Sequence, residues 1–398
     1  RGTVFCIFCD SKGTMWVGSF FGGLQYYDEK KGKFFSYRHD PDDPNSIAGN
    51  DVRSIAEDAD GNFWIAVHAK GVDKFDRKLK KFTHLNSTNS NLTNNWPFET
   101  LIDSEGDLWV ATAWGLNFMK KGEASFISYM YNYDDSTSLS NNYVVDLYED
   151  SDHILWVGTL SGLNRFNREM NKFTRVQGAF ANNSISGIIG GDKGVLWISN
   201  ISGLSMFNPE KGDVKNFGYI DGLKSEEFNP RSCYRNRYNE YFFGGTKGID
   251  VFNPEQLRFN TEPPVVIIDK FRIFNREVTA TNSDKLKKQV SRSDKIILKH
   301  SDKVIAINFK ALNFINPQMN RYAYKMEGFE ENWNFVGTGK EATYTNLNPG
   351  VYTFRVIACN NDGVWNQTGA RLEIEILPPW YGTLAFKIVS VILILTAI

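Results

Sequence analysis

Short apolar runs and polar turns alternate in a unit that recurs along the first two thirds of the chain. In one copy, residues 52–57 form an apolar strand-like run, an acidic turn containing Gly61 follows, and Trp64 opens a second apolar run. Two further short runs, at 71–75 and 81–85, complete the unit. Segments of period two that are separated by turn residues predict an antiparallel β-meander with four strands in each unit.

The unit recurs at intervals of 41 to 48 residues, and its last copy is degenerate. The tryptophan position of successive copies is occupied by Trp16, Trp64, Trp109, Trp156, Trp197 and finally Phe242. A period of about 45 residues is too long for leucine-rich or ankyrin repeats and is typical of one four-stranded propeller blade. The sequence therefore predicts an all-β fold in which residues 1–259 form a β-propeller with six visible blades.

The acidic turn and the tryptophan are interpreted as structural features. Asp58 is expected to accept a backbone N–H two residues later in the turn, and Gly61 supplies a positive φ. The run from Asp58 to Gly61 resembles the opening of a calcium loop, but no glutamate closes it at the required distance. Because that glutamate is missing, the sequence predicts no metal here. Trp64 is expected to anchor the core between neighbouring blades.

The repeat ends near Phe259, and a different pattern follows Glu262-Pro263-Pro264. About seven short strands at close spacing predict a β-sandwich of immunoglobulin or fibronectin type over residues 260–379. The polar stretch 279–294 is expected to be a surface loop of that domain. Residues 384–398 are almost entirely apolar but fewer than the ~20 that cross a bilayer. Residues 380–398 are therefore predicted to be the truncated start of a transmembrane helix.

Composition narrows the classes of function. The net charge of −1 argues against nucleic acid as a partner, because such partners require a basic surface. No run of like charge indicates a polybasic membrane patch. The four cysteines are too few for a disulfide framework, and Cys6 and Cys9 are interpreted as buried small apolar residues of a strand.

Catalytic motifs are missing from the sequence. It contains no Ser/His/Asp order of a known hydrolase, no H-E-x-x-H and no phosphate-binding glycine loop. Neighbouring acids such as Glu226 and Glu227 point to opposite faces of a strand, so they do not form a glycosidase pair. We predict that this fragment is not an enzyme and binds no cofactor. A propeller glycosidase or lyase, with catalytic residues far apart in sequence, stays open as the weakest alternative.

The candidate ligand site lies on the loops. In a propeller, the loops between blades and the loops between second and third strands share one face, and variable loops on a constant scaffold commonly carry function. The candidate ligand-binding residues on these loops are Phe21, His68, Lys70, Trp96, Trp114, Tyr143, Lys247 and Arg231. Aromatic rings stack on the C–H faces of sugars, and the polar side chains satisfy hydroxyl or acidic groups. Packing against a neighbouring blade is an equal alternative for Trp96 and Trp114.

Two groups of motifs resemble a known family. The recurring Trp-Val-Gly and Gly-Leu segments resemble the two-component regulator propeller repeat. The second half, with Tyr322-x-Tyr324, Tyr344, Tyr352 and Pro378-Pro379-Trp380-Tyr381, resembles the Y_Y_Y domain. In this order they are similar to the periplasmic sensor of hybrid two-component system proteins of Bacteroidetes.

The resemblance implies a function for the chain. It implies the periplasmic region of an inner-membrane sensor histidine kinase, whose catalytic domains are absent here, that senses a carbohydrate and regulates transcription. The implied partners are an oligosaccharide ligand, a second copy that pairs through the β-sandwich, and the inner membrane through the C-terminal helix. Propellers of this family usually have seven blades, so at least one more blade is expected before Arg1. The alternative from another class is a propeller scaffold that binds a partner protein.

Overall fold

A computed structural model describes residues 3–178, 180–382 and 384–397. The two ends of the predicted organisation, Arg1 and Ile398, therefore lie outside the described residues. The chain divides into two compact units, Arg1–Leu257 and Arg258–Ile398. Both units are built almost entirely from β-strands, as the alternation of polarity predicts.

The first unit consists of six antiparallel sheets in chain order, which we call blades 1 to 6. Five blades have four strands and the sixth has three. The strands of blades 1 to 3 are β1 (Val4–Cys9), β2 (Met15–Ser19), β3 (Gly23–Asp28), β4 (Lys33–Tyr37), β5 (Val52–Glu57), β6 (Phe63–Val67), β7 (Gly71–Asp76), β8 (Lys81–Leu85), β9 (Pro97–Ile102), β10 (Leu108–Thr112), β11 (Gly115–Met119) and β12 (Ile127–Tyr129). Those of blades 4 to 6 are β13 (Val144–Glu149), β14 (Leu155–Thr159), β15 (Gly162–Asn167), β16 (Lys172–Arg175), β17 (Ile185–Gly190), β18 (Leu196–Asn200), β19 (Gly203–Asn208), β20 (Asp213–Phe217), β21 (Phe228–Arg235), β22 (Tyr241–Gly245) and β23 (Gly248–Phe252). The first strand of each blade neighbours the first strand of the next, so these strands are innermost.

The acidic turn has the structure that the sequence predicts. In blade 1, Asp10 Oδ1 accepts the backbone N–H of Lys12 at 3.0 Å, and Gly13 has φ +81°. The second carboxylate oxygen, Oδ2, accepts the indole N–H of Trp16 at 3.0 Å. The same indole bond recurs in Asp58–Trp64, Asp103–Trp109 and Asp150–Trp156. Each aspartate therefore holds both the turn and the buried tryptophan that follows it.

The tryptophans pack against the next blade, as predicted. Trp16 meets Phe63 with ring centroids 4.9 Å apart, and Trp109 meets Phe166 at 5.0 Å. An arginine adds an ionic tie between neighbouring blades: Arg77 of blade 2 pairs with Asp10 of blade 1 at 2.6 Å. The blades are thus joined both by apolar contacts and by ion pairs whose carboxylates are buried.

The second unit is a two-sheet sandwich. Its strands are β24 (Val265–Ile273), β25 (Arg276–Glu277), β26 (Lys295–Leu298), β27 (Val304–Leu312), β28 (Arg321–Glu327), β29 (Asn334–Gly337), β30 (Glu341–Thr345), β31 (Gly350–Cys359) and β32 (Trp365–Ile376). One sheet has the order β25-β24-β27-β30 and the other β26-β32-β31-β28-β29, with β26 and β32 parallel. Inward residues such as Phe271, Phe309 and Phe354 are fully buried between the sheets. This alternation of buried and exposed positions is typical of sandwich strands.

Helical structure is short throughout the described residues. Five 3₁₀ turns cover Asp192–Gly194, Tyr219–Asp221, Pro254–Gln256, Val290–Arg292 and Trp380–Gly382, and one α-helix, α1, covers Leu384–Ala397. Among residues 3–178, 180–382 and 384–397, no helix has the length and apolar character needed to span a bilayer. The transmembrane assignment of residues 380–398 therefore stays a prediction.

Two local expectations are corrected. Cys9 is exposed, and Cys6 is only half-buried, because Cys6 packs against the apolar cluster of blades 1 and 2 whereas Cys9 lies at the exposed end of β1. The polar stretch 279–294 does lie at the surface, but Leu286 and Val290 within it are buried in the core of the sandwich. This loop is therefore pinned at two points, since its apolar side chains leave water.

Candidate functional site

Hydrogen bonds bring the two predicted sets of loops together on one face of the propeller unit. The backbone N–H of His68 donates to the carbonyl of Asp51 at 2.9 Å, and that of Ala113 donates to Trp96 at 3.2 Å. Each bond links the residue after a second strand to the segment before the innermost strand of the same blade. We call this side of the unit the loop face.

A β-bulge recurs where each innermost strand leaves the loop face. In blades 1 to 5 the pairing with the second strand skips one residue, always the second of the innermost strand. The bulged residues are Phe5, Arg53, Phe98, Val145 and Ser186. A bulge redirects a side chain and is frequent beside functional sites. At the mouth of the central channel, Phe5, Arg53 and Phe98 are partly exposed, whereas Val145 and Ser186 are buried.

Four aromatic side chains form a continuous group at this mouth, which we call the ring cluster. The His68 ring lies 5.6 Å from Trp96 and 6.3 Å from Phe98, centroid to centroid. Phe98 in turn lies 4.9 Å from Tyr143. Trp96 is 53% exposed and Tyr143 is 37% exposed, so solvent reaches the outer rings of the cluster while Phe98 is half-buried. The cluster draws on blades 2, 3 and 4.

A cationic group continues the ring cluster toward blade 1. The guanidinium of Arg53 lies 3.7 Å above the ring of Phe5, and Nε of the same residue pairs with Asp51 at 2.8 Å. Phe5 contacts Phe20, whose ring centroid is 3.9 Å from that of Phe21. A guanidinium over an aromatic face is a favourable arrangement that also fixes both groups. The loop face therefore carries a nearly continuous line of rings interrupted by one ion pair.

His68 has an unsatisfied polar atom. Its Nδ1 is buried and makes no hydrogen bond within the described part of the chain. Burial lowers the pKa of the imidazole, and the positive charge of Arg53 lowers it further, against the opposite effect of Asp51. The ring is therefore neutral at pH 7, and a neutral imidazole can donate or accept a hydrogen bond.

Arg231 lies inside the channel and ties blade 6 to blades 2 and 3. The innermost strand β21 carries an enlarged bulge, because Phe228 pairs with Gly245 and the next pair is Cys233 with Phe243. Arg231 lies in this bulge with φ +56°, and its Nη1 donates to the carbonyls of Arg53, at 3.1 Å, and Phe98. Its guanidinium thus supports the backbone under two residues of the loop face.

Two carboxyl groups face the same channel. Glu99 Oε2 accepts the backbone N–H of Leu147 at 2.6 Å, and Asp146 Oδ2 accepts that of Ile188 at 2.5 Å, so each bridges to the following blade. Burial raises the pKa of Asp146 to about 6. Burial and the neighbouring Asp146 raise the pKa of Glu99 well above its ordinary value, while Arg231 opposes both shifts. We call Glu99 and Asp146 the channel pair. The pair favours sharing a proton, because two neighbouring carboxylates in a poorly solvated site oppose each other's ionisation.

The structure brings some of the predicted site residues together and separates others. Trp96, His68 and Tyr143 belong to the ring cluster. Phe21 ends the line of rings on blade 1, where it is 66% exposed. The other three loop residues are exposed on the same face without joining the cluster: Lys70 on blade 2, Trp114 on blade 3 and Lys247 on blade 6. Arg231 lies beneath the cluster, in the channel.

Sequence reasoning missed Phe98, Arg53 and the channel pair. All belong to innermost strands, which the sequence analysis assigned to the scaffold. A detectable signal existed, because the second position of these strands varies from copy to copy while the position before it stays apolar, as Val4, Val52, Pro97, Val144 and Ile185. Within the residues that the structure describes, no group of three or more His, Cys, Asp or Glu side chains is placed to hold a metal ion.

Comparison with known families agrees with this architecture. Residues 1–21, 46–68 and 138–161 match the two-component regulator propeller family, and residues 313–377 match the Y_Y_Y domain family. A curated relative, histidine kinase P4 of Formosa agariphila, is 30% identical over 382 residues. That alignment covers 94% of this chain but only 28% of the relative, so the chain spans less than a third of that protein's length.

Solved structures give the same assignment. The extracellular domain of the putative hybrid two-component system BT3049 of B. thetaiotaomicron matches with a TM-score of 0.78 and 26% identity. The match covers 94% of this chain and 50% of that domain. The extracellular domain of BT4673 of the same organism, at 21% identity and a TM-score of 0.53, shares the fold. Segments of the chain therefore match two-component regulator propeller repeats and, after them, a Y_Y_Y domain, and the chain is similar over nearly its whole length to an extracellular domain of a hybrid two-component system.

Proposed function

We propose that this chain is the extracytoplasmic ligand-sensing region of a membrane-bound hybrid sensor histidine kinase, and that the loop face binds a glycan-derived oligosaccharide. The ring cluster carries this proposal. Trp96 and Tyr143 present exposed aromatic surface, and His68 beside them has a buried nitrogen without a partner. Aromatic rings stack on the apolar faces of sugars, while an unpaired imidazole nitrogen and a guanidinium suit hydroxyl groups. The line of rings from Phe21 to Tyr143 suits an extended ligand.

The proposed signal crosses the inner membrane from the periplasm. Similarity to histidine kinase P4 supports a kinase in the whole protein, and the exposed apolar side chains of α1, such as Ile388 and Leu395, support contact with lipid. Two copies pair through the β-sandwich, and binding of the ligand changes that pairing and so regulates transcription. Binding shifts such an equilibrium only by its difference in affinity for the two arrangements. Sedimentation of the full-length protein tests this step, and a strict monomer with and without ligand would contradict it.

Isothermal titration tests the ligand class. The chain is titrated with a panel of plant, host and microbial oligosaccharides, and one class is expected to give saturable heat. Trp96→Ala should then weaken the affinity by at least about tenfold, because buried aromatic anchors dominate such sites. Trp380→Ala, which removes an exposed tryptophan of the second unit, is the matched control and should change nothing. Equal affinities of the two variants would place the site elsewhere.

A second candidate function is binding of a partner protein. The loops between second and third strands expose a series of large apolar side chains on four blades: Phe21, Trp114, Leu160 and Ile201. Exposed apolar side chains that recur at one loop position favour a protein interface. The variants Leu160→Asp and Ile201→Asp distinguish the two functions, because both residues lie outside the ring cluster. Unchanged oligosaccharide affinity is expected, and loss of it would move the ligand site to this apolar arc.

A further inference from the structure

A groove in the second unit concentrates positive charge. It has a volume of about 590 Å³, and one segment supplies all of its basic side chains. These are Lys285, Lys287, Lys288, Arg292, Lys295 and Lys299, against two acidic side chains, Asp284 and Asp294. The whole chain has a net charge of −1, so this cluster opposes the overall balance. We call it the basic groove.

Four of the six cations are free to meet a ligand. Lys285 pairs with Asp302, and Lys295 pairs with Glu373 and Glu375, the latter two at 2.8 Å. The four remaining side chains are exposed and make no ion pair within the described residues: Lys287, Lys288, Arg292 and Lys299. Like charges that are held close together without partners repel one another, so an anionic occupant would relieve the repulsion.

The fold fixes these cations in place. Leu286 and Val290 are buried in the sandwich core on either side of Lys287 and Lys288, and the turn Val290–Arg292 follows at once. Strand β26 then pairs in parallel with β32 and brings Lys299 to the same groove. Because the apolar anchors hold the backbone, the basic side chains form a preorganised array.

The walls of the groove are partly apolar. Ile297 is 46% exposed and Leu377 is 40% exposed, and both line the groove. The backbone N–H of Leu377 donates to the carbonyl of Leu298 at 2.9 Å, which holds the end of the sandwich against β26. From this point the chain continues through Trp380–Gly382 into α1, whose apolar side chains are exposed. The basic groove therefore lies where the chain leaves the sandwich for an apolar helix.

We propose that the basic groove binds anionic phospholipid headgroups at the membrane surface. The free cations meet the phosphates, and Ile297 and Leu377 face the boundary with the acyl chains. This inference rests on the proposed attachment of α1 to the membrane. Each lysine or arginine near an anionic bilayer strengthens binding by about fivefold, so three of them contribute about a hundredfold.

Flotation of the full chain with lipid vesicles tests the proposal. Vesicles of phosphatidylcholine alone are compared with vesicles that also contain phosphatidylglycerol, each at low and at high salt. The combined variant Lys287→Gln, Lys288→Gln, Arg292→Gln should bind the anionic vesicles about a hundredfold more weakly than the parent chain. The matched control Lys78→Gln, Lys80→Gln, Lys81→Gln removes the same charge from exposed positions on blade 2 and should bind as the parent does.

The outcomes separate this proposal from the proposed membrane attachment. A preference for anionic vesicles that salt weakens, and that only the groove variant loses, supports the inference. Equal binding of both vesicle types, insensitive to salt, would keep the attachment of α1 and overturn the groove. Equal losses of vesicle binding in the two triple variants would show that net charge alone causes the effect, and would also overturn the groove. Binding to neither vesicle type would contradict both the groove and the attachment.

Discussion

Replacing Arg231 by methionine should destabilise the propeller unit far more than its partial exposure suggests. The guanidinium donates to the carbonyls of Arg53 and Phe98 from across the channel, and its charge faces Glu99 and Asp146. Methionine keeps the length and most of the apolar volume but removes both donors and the charge. Two carbonyls would then lose their donor, and the channel pair would lose a nearby positive charge.

The magnitude follows from these contacts. A hydrogen bond from a charged group contributes about 1.5–3 kcal/mol, and Arg231 makes two of them, while its charge also favours the ionised forms of Glu99 and Asp146. The two effects share one side chain and are not additive. We therefore expect Arg231→Met to lower the free energy of unfolding by about 3–5 kcal/mol.

Urea unfolding followed by tryptophan fluorescence measures this loss, because the buried tryptophans report on the blades. Arg237→Met is the matched control on the same blade. Arg237 is exposed and contacts Tyr238, so its replacement should change the free energy of unfolding by less than about 0.5 kcal/mol. Similar losses in the two variants would refute the assignment of Arg231 as a tie between blades.

A double variant tests the electrostatic part of the argument. The charge of Arg231 lowers the pKa of Glu99, and Glu99→Gln removes the carboxyl group on which that charge acts. The combined loss in free energy of unfolding should therefore be smaller than the sum of the single losses. Strict additivity would show that the carbonyl contacts alone account for the effect. Under the proposed function, Arg231→Met should also weaken oligosaccharide binding, since the backbone beneath Phe98 loses its support.

Two further predictions concern the channel pair and the tryptophan repeat. Because burial raises the pKa of Asp146 to about 6 and that of Glu99 as well, the folded state binds more protons than the unfolded state above pH ~4. The stability from this pair is therefore complete at acid pH and falls as pH rises through about 6. Glu99→Gln should reduce this loss of stability. The difference in free energy of unfolding between the variant and the parent should therefore shift in favour of the variant from about pH 5 to about pH 8. A difference that does not change with pH would contradict the shared proton. Trp64→Ala should cost about 3–5 kcal/mol in the same urea assay, and a loss below ~1 kcal/mol would show that Trp64 does not anchor the blades.

Much of the fold could be predicted because its determinants are local. The alternation of polarity, the aspartate turn with its glycine and the tryptophan all lie within a few residues of one another, and each copy repeats them. The indole bond to Asp10 Oδ2 is local too, since Trp16 is in the next strand, yet it was missed. In the second unit, residues 265–268 and 271–274 read as two strands, but a bulge between Ile268 and Lys270 lets one strand, Val265–Ile273, continue through both.

Only the loop residues of the candidate site could be predicted from the sequence. Trp96, His68 and Tyr143 stand out in sequence because they break the repeat. Phe98 and Arg53 do not, because the alternation of a strand says nothing about a bulge that turns the second residue outward. The basic groove was not predicted, for a related reason. Its cations are spread over residues 285–299 among apolar, polar and acidic residues, so no long run of like charge appears in the sequence, and the buried Leu286 and Val290 hold the segment in the fold.

Arg231 shows how a residue can belong to a site without belonging to its surface. The sequence analysis selected it as a ligand contact on the loop face, whereas its guanidinium lies beneath that face and holds the backbone of two other blades. Under the proposed function, its effect on a ligand would pass through Phe98 and Arg53, whose side chains are partly exposed at the channel mouth. A ligand that orders the ring cluster would in turn restrain Arg231 and the enlarged bulge of blade 6. Arg231 supports the loop face from strand β21 of blade 6. Blade 6 is also the last blade before residue 258, from which the chain continues into the sandwich unit.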